Sequence, residues 1–328
     1  ALLGNSLLRH PSLLLLYFVA AGFSAVDGLS GPSFSAMLPR LVDHKDLPSA
    51  MALMSLRWQF SAIIGPALAG VIIATSGVKA AYSIDILTYV ISVIFILRVA
   101  AVPPLQQITT KSIKAMFGGL QYAASRKDLM GTYIVDLIAM FFAMPNALFP
   151  FWADQIHSRW ALGLFYSAGV LGSILVTATS GWMKHFTKYG MAITIAAMGW
   201  GLCITLAGAT NSLWVVLLFL GLAGASDQVS SLCRQNLWNQ TIDDEYRGRL
   251  AGLELLSYSV GPLGGQLRAG TTAAITSLRT SVISGGLLCI ALVSFASAKL
   301  PEFRNFDLKT NPYAMEQRRK KSGIAESE

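Results

Sequence analysis

Nine long apolar runs, separated by short polar segments, dominate the pattern along the chain. Each run approaches the roughly 20 apolar residues that a helix needs to cross a bilayer. The runs are continuous rather than alternating, and lipid leaves no backbone polar group unsatisfied, so each run is predicted to be one membrane-spanning helix. The predicted spans are residues 12–36, 49–75, 80–101, 130–150, 161–183, 190–209, 213–235, 248–272 and 279–299.

The residue composition excludes the common classes of soluble protein. The 328 residues are 54% hydrophobic and 13% charged, whereas soluble domains carry about 25% charged residues. These values rule out an ordinary soluble enzyme, a disordered chain and a disulfide scaffold, and they indicate an all-α polytopic membrane protein. The three cysteines lie apart in apolar runs, without metal or disulfide spacing. They are predicted to be helix-packing residues: Cys203, Cys233 and Cys289.

The basic residues are distributed unevenly between the two sides of the predicted helices. If the C-terminus is cytoplasmic, 20 of the 25 lysines and arginines belong to cytoplasmic segments and 5 to the opposite side. Cytoplasmic loops of membrane proteins carry such an excess. The net charge of +8 is therefore explained by topology, and no nucleic-acid partner is expected.

Two polar segments divide the predicted helices into domains. Residues 102–129 form a linker that opens with Pro103-Pro104 and carries apolar residues at helical spacing, which predicts an amphipathic helix at the membrane interface. Residues 300–328 form a cytoplasmic tail that contains a basic cluster at 318–321. A solvated tail is favoured over one that touches anionic lipid, because four charges are few for lipid recognition.

The chain repeats itself across the linker. Residues 25–30 match residues 225–230, with the Asp and the Ser identical, and residues 65–70 match residues 261–265. Such a repeat is typical of transporters built from two homologous bundles. It predicts a remnant of the N-terminal bundle (helices 4–6) at residues 1–101 and a six-helix C-terminal bundle at 130–299. About nine of twelve helices would then be present, with three expected upstream.

Three segments resemble the major facilitator superfamily. They are the Gly65-Pro66 segment with Gly70, the run 245–250 containing Arg247-Gly248-Arg249, and the run 133–150. Within the superfamily, the run 133–150 is similar to a helix of the enterobactin exporter group. The resemblance implies a secondary transporter with a two-bundle fold and proton-coupled efflux of a siderophore such as enterobactin.

Other functions stay open beside this one. Drug and macrolide exporters share much of the same pattern. The superfamily's acidic loop motif between helices 2 and 3 is absent, and its counterpart at 181–188 holds no acid. A non-functional transporter fragment is therefore an alternative, and a membrane-embedded enzyme or scaffold is a remote one.

Ionisable residues inside the predicted spans are the candidates for chemistry, since charge in a membrane is costly and is usually functional. Asp27 and Asp227 occupy equivalent repeat positions, so proton exchange or substrate contact is the functional interpretation and a structural ion pair is the alternative. Arg57 is interpreted as pairing with an acid or a substrate oxygen, or as reaching the cytoplasmic surface. The complete set of substrate- or proton-binding candidates is Asp27, Asp136, Asp227, Arg57, Glu254, Tyr133 and Tyr258.

A second set of residues is predicted to shape helices rather than to bind. Glycine and proline within a span allow a kink and close contact between helices. The structural motif residues are Gly65, Pro66, Gly70, Gly261, Pro262, Gly265, Arg247, Gly248 and Arg249.

The sequence holds no nucleotide-binding loop, no catalytic motif and no metal-ligand spacing. It therefore predicts a transporter and not an enzyme, with no cofactor and no metal. The expected partners are a small-molecule substrate (siderophore or drug), protons and the lipid bilayer. The expected location is the bacterial inner membrane, as a multi-pass protein.

Overall fold

The computed structural model describes residues 1–8, 10, 12–26, 47–98, 122–181, 186–242 and 244–321. For 244–249, 251–259 and scattered positions in 47–74 and 318–321 it describes the backbone alone. Within these ranges the regular structure is helical, with no strand. Asp27 and the predicted amphipathic helix of the linker lie outside the described residues.

The chain divides into two compact units, Ala1–Thr109 and Thr110–Glu328. The first contains α1 (Leu2–Leu7), α2 (Leu13–Val26) and α3 (Leu47–Leu97). Helix α3 is interrupted at Gly77, where φ is 80° and ψ is 171°. Glycine lacks a Cβ and adopts such a backbone conformation without steric cost, so it separates the two apolar runs that the sequence predicts as separate spans.

The second unit is a helical bundle. Its first span consists of α4 (Lys127–Phe142), a 3₁₀ turn (Asn146–Leu148) and α5 (Phe149–Gln155). A second 3₁₀ turn (Arg159–Ala161) leads into the remaining helices. These are α6 (Leu162–Ala178), α7 (Tyr189–Ala209), α8 (Leu213–Thr241), α9 (Asp244–Ile275), α10 (Leu278–Lys299), α11 (Pro301–Arg304) and α12 (Pro312–Lys321). We call the end at which α4, α7 and α9 begin the base of the bundle, and the opposite end the head.

Six described helices are long and apolar enough to cross a membrane, which confirms the all-α polytopic class. They are Thr75–Leu97, Lys127–Gln155, Arg159–Ala178, Tyr189–Ala209, Leu213–Thr241 and Leu278–Lys299. The segments Leu13–Val26 and Ile64–Ile73 are shorter apolar helices. Helix α9 has the length of a span, but the charged residues in its base half lower its hydropathy. The described part of the chain thus supports fewer clear spans than the nine expected.

The two units differ in packing. The most apolar window of Thr75–Leu97 has none of its residues buried, whereas 28–44% of the corresponding windows in the second unit are buried. The buried hydrophobic core of the described residues begins at Ala123 and continues to Ala314. The second unit therefore supplies the rigid framework on which a site can be built.

The segment that follows α10 packs against the base. The sequence favours a solvated tail here, but Phe303, Phe306 and Leu308 are buried. The Phe303 ring occupies the space beside Gly131 of α4, and its carbonyl lies against Gly190 of α7. An aromatic anchor of this kind was not visible as a pattern, because the segment is short and mostly polar.

A buried arginine joins the same segment to α4 and α8. Arg126 is 2% exposed and forms two hydrogen bonds to the Asp128 carboxylate, at 2.9 and 2.7 Å. It also donates to the Thr241 carbonyl at the end of α8, at 3.3 Å. The Tyr313 ring covers the guanidinium, with 3.3 Å between Cζ and the ring centroid. Arg126 also donates to the Tyr122 hydroxyl at 3.0 Å. This one cation therefore joins several groups at the base.

We expect Phe303→Ala to lower the free energy of unfolding by about 3–5 kcal/mol, the usual cost of removing a buried phenylalanine ring. The matched control is Phe295→Ala on α10, since Phe295 is 61% exposed and should change stability little. Denaturant titration of the purified protein in detergent micelles measures both. Equal effects of the two substitutions would show that the Phe303 contact does not hold the tail segment.

Candidate functional site

A buried ion pair links the first span of the bundle to α8. Arg234 donates through Nη1 to the Asp136 carboxylate, and each side chain is 4% exposed. The same Nη1 lies 3.3 Å from the Ser230 hydroxyl, one turn away on α8. Both residues belong to helices that are long and apolar enough to cross a membrane.

The pair is energetically demanding. Moving two charges out of water carries a large desolvation penalty, which their mutual attraction repays only in good geometry. Removing one partner strands the other charge without compensation. Because charged residues inside a membrane span are costly, such a pair indicates a functional role rather than packing alone.

A second carboxylate belongs to the same cluster. Asp227 lies two turns from Arg234 along α8 and is half-buried. The charges of both Arg234 and Asp136 act on it. Among the residues that the structure describes, Asp227 forms no hydrogen bond and no ion pair. One cation therefore stands near two acids and is hydrogen-bonded to only one of them.

An aromatic pair lies between this cluster and the base. The Tyr133 ring stacks on the Trp238 ring with 5.2 Å between centroids and an interplanar angle of 20°. The Trp238 indole N–H donates to the Thr132 hydroxyl at 3.0 Å. Tyr133 precedes Asp136 by one turn and Trp238 follows Arg234 by one turn. The aromatic pair therefore belongs to the same seam between α4 and α8.

The first span is broken on the head side of the cluster. Helix α4 ends at Phe142, and regular structure resumes with the turn at Asn146. The Trp200 indole N–H donates to the Ala143 carbonyl at 3.0 Å, and the Tyr166 hydroxyl lies 3.3 Å from the Asn146 carbonyl. Both side chains thus donate hydrogen bonds to backbone carbonyls at the break. Discontinuous helices of this kind line binding sites in transporters.

The repeated glycine–proline motif of the second half packs against this span. A Cβ on Gly261 would lie 3.1 Å from the Met140 Cβ, and one on Gly265 would collide with the Met140 carbonyl oxygen. The two helices are therefore in close contact at both glycines, and Pro262 lies between them inside α9. In the first half, Gly65 faces open space among the described residues, while Pro66 lies inside α3 and Gly70 is buried.

The structure brings together three of the predicted site residues: Asp136, Asp227 and Tyr133. Arg57 is exposed on α3 in the first unit. The remaining candidates cannot be placed by their contacts. Asp27 lies outside the described residues, and only the backbone is described for Glu254, Tyr258, Arg247, Gly248 and Arg249.

Arg234 is the site residue whose role sequence reasoning missed. The sequence pattern alone shows no counter-ion for the acids of the predicted spans. The available signal was the spacing of Ser230, Arg234 and Trp238, four residues apart on one face of α8. What the spacing could not show is that Asp136, 98 residues earlier, faces Arg234.

A family model described as transmembrane secretion effector matches residues 2–322. The chain belongs to this family of the major facilitator superfamily. Membership makes it a multi-pass membrane transporter with the superfamily's all-helical fold, as the sequence predicts.

Curated relatives are similar at a lower level of identity. The enterobactin exporter EntS of Citrobacter koseri is 28% identical over 294 residues, covering 88% of this chain and 70% of the relative. The EntS proteins of Escherichia coli O1:K1 and Shigella boydii serotype 18 are each 28% identical over 307 residues, covering 92% of this chain and 73% of the relative. The family assignment thus describes a transporter of small molecules rather than an enzyme.

Proposed function

We propose that this chain is a proton-coupled exporter of a siderophore such as enterobactin. We place it in the bacterial inner membrane with its C-terminus in the cytoplasm, in keeping with the 20 to 5 distribution of basic residues. The observation that carries the proposal is the buried Asp136–Arg234 pair with Asp227 beside it. The names of the curated relatives support the choice of substrate.

The cluster offers a physical route for proton coupling. With Asp227 ionised, two acids attract Arg234, one from α4 and one from α8 itself. A proton on Asp227 removes the competing attraction within α8 and also the repulsion between Asp227 and Asp136, which leaves Arg234 to Asp136 alone. Proton occupancy therefore changes the electrostatic attraction between α4 and α8, which is a differential interaction of the kind that shifts a conformational equilibrium.

The neighbouring aromatic pair supports a substrate with aromatic and acidic groups. The Tyr133 ring, stacked on the buried Trp238 ring, adds an aromatic surface one helical turn from the Asp136–Arg234 pair. Catechol rings stack on such surfaces, and their oxygens match the planar donor set of arginine. Substrate recognition at the seam would use both properties together.

Transport in proteoliposomes tests this function. We expect enterobactin to accumulate against its gradient when a pH gradient is imposed, and to stop accumulating when a protonophore collapses that gradient. A macrolide is the comparison substrate. Transport of the macrolide without enterobactin would overturn the siderophore assignment, and enterobactin transport insensitive to the protonophore would overturn proton coupling.

A further inference from the structure

A second arginine inside the bundle has no compensating charge in the described structure. Arg268 lies on α9, seven residues before the helix ends at Ile275, or about 10 Å along the axis. Its Nε is buried without a hydrogen-bond partner. Arg268 forms no ion pair or hydrogen bond with any residue whose side chain the structure describes.

The nearest acid on the same helix cannot neutralise it. Glu254 lies 14 residues earlier on α9, which is about 21 Å along the axis and far beyond the reach of an ion pair. The Arg268 guanidinium is partly removed from water, and no described acidic group lies close enough to compensate its charge. The structure places Arg268 two helical turns inside α9.

The guanidinium is held at the break in the first span. A Cβ on Gly285 of α10 would lie 2.6 Å from Nη2 of Arg268 and would also collide with the Phe142 carbonyl oxygen. The cation and the last residue of α4 therefore meet beside Gly285, a position on α10 that lacks a side chain. A hydrogen bond from the Ser281 hydroxyl to the Ala269 carbonyl, at 2.8 Å, holds α10 against α9 beside it.

The local backbone compensates the charge only in part. The carboxyl end of a helix carries about half an elementary negative charge, so the end of α4 leaves a net positive potential at Arg268. Unpaired charge in a membrane span is costly and marks sites that meet ions or substrates. The planar guanidinium has five donors suited to a carboxylate or phenolate. Trp200 adds an aromatic surface at the same break, where it binds the Ala143 carbonyl.

We propose that Arg268, at the break in the first span, is an anion-binding subsite for the acidic group of an aromatic substrate. This inference rests on the proposed function for its substrate class and extends it. The Asp136–Arg234 cluster lies on the base side of the break and Arg268 lies at the break itself. A substrate moving from base to head would therefore meet first the proton-coupled seam and then a fixed positive charge.

A matched pair of probes tests the subsite without requiring transport. The purified full chain is titrated calorimetrically with 2,3-dihydroxybenzoate and with 2,3-dihydroxybenzamide, which share a ring and differ in one charge. We expect the wild-type protein to bind the benzoate about tenfold or more tightly than the benzamide, the usual advantage of a charge-assisted hydrogen bond. In Arg268→Gln this preference should disappear, with benzamide binding unchanged.

Two further variants separate recognition from structure. Arg268→Lys retains the charge but not the planar fork, so benzoate binding should weaken several-fold while benzamide binding stays constant. Arg279→Gln is the matched control. Arg279 is an exposed arginine at the head end of α10, and it donates a hydrogen bond to the Ala209 carbonyl. It should retain the full preference.

The outcomes decide the inference independently of the proposed function. Equal binding of the two probes by the wild-type protein, or a preference that survives in Arg268→Gln, would overturn the subsite. If Arg268→Gln does not fold, Arg268→Lys decides, and unchanged affinity for both probes would overturn it. An Arg268-dependent preference in a protein that does not transport enterobactin would refute the proposed substrate and leave the subsite standing.

Discussion

Arg234→Gln is expected to abolish transport and to lower the free energy of unfolding by about 3–5 kcal/mol, the usual cost of breaking a buried ion pair by removing one partner. The physical reason is that the Asp136 carboxylate, 4% exposed, would be left buried without the cation that compensates it. Transport in proteoliposomes and denaturant titration in micelles measure the two effects. The stability loss should be larger than that of any exposed arginine in the chain.

A double-mutant cycle separates charge compensation from packing. The double variant Asp136→Asn/Arg234→Gln removes both charges. It should therefore be more stable than Arg234→Gln alone, although it remains inactive. Arg279→Gln, which changes an exposed arginine near the head, should be close to wild type in both assays. Additive losses in the double variant would show that the ion pair contributes no coupling energy.

Asp227→Asn is expected to reduce export about tenfold or more while leaving the folded protein abundant, because ionisable groups inside spans commonly carry protons. Asparagine keeps the size of the side chain but cannot release a proton, and the described structure gives Asp227 no hydrogen bond that asparagine would lose. Export measured across several external pH values should be uniformly low. The wild-type protein should instead respond to pH.

The matched control for this prediction is Asp154→Asn. Asp154 is an exposed acid near the head that forms a surface pair with Arg159, and surface pairs contribute little to stability. Its replacement should leave export and its pH dependence unchanged. Normal export by Asp227→Asn at every pH would assign Asp227 a structural role and remove the proton-coupling mechanism from this cluster.

The candidate site was partly visible in the sequence. Asp136 and Asp227 stood out because carboxylates are rare in apolar runs, and Tyr133 because it shares a helix face with Asp136. Their common partner did not stand out, since Arg234 lies near the base end of α8, where a basic residue is ordinary. Arg268 did not stand out either, since no local pattern shows which groups of other helices it faces.

The tail segment shows a different limit. Residues 301–317 read as polar, and no apolar period marks them as part of the bundle. Phe303 is nevertheless fully buried, because Gly131 and Gly190 leave space on two helices that are far apart in the chain. Complementarity between a single side chain and two distant glycines is not expressed in any local pattern.

The sequence by itself determined the all-helical membrane class, the approximate positions of the spans and the superfamily. These depend on the length and continuity of apolar runs and on short local motifs, and the cost of exposing backbone polar groups to lipid acts on each run separately. Only the tertiary structure decided that Arg234 is paired with Asp136 and lies near the charge of Asp227. It also decided that the first span breaks beside Arg268 and that the tail segment packs against the base. Each of these depends on which faces of distant helices meet, and the energy of a buried charge is set by its neighbours in space rather than in sequence.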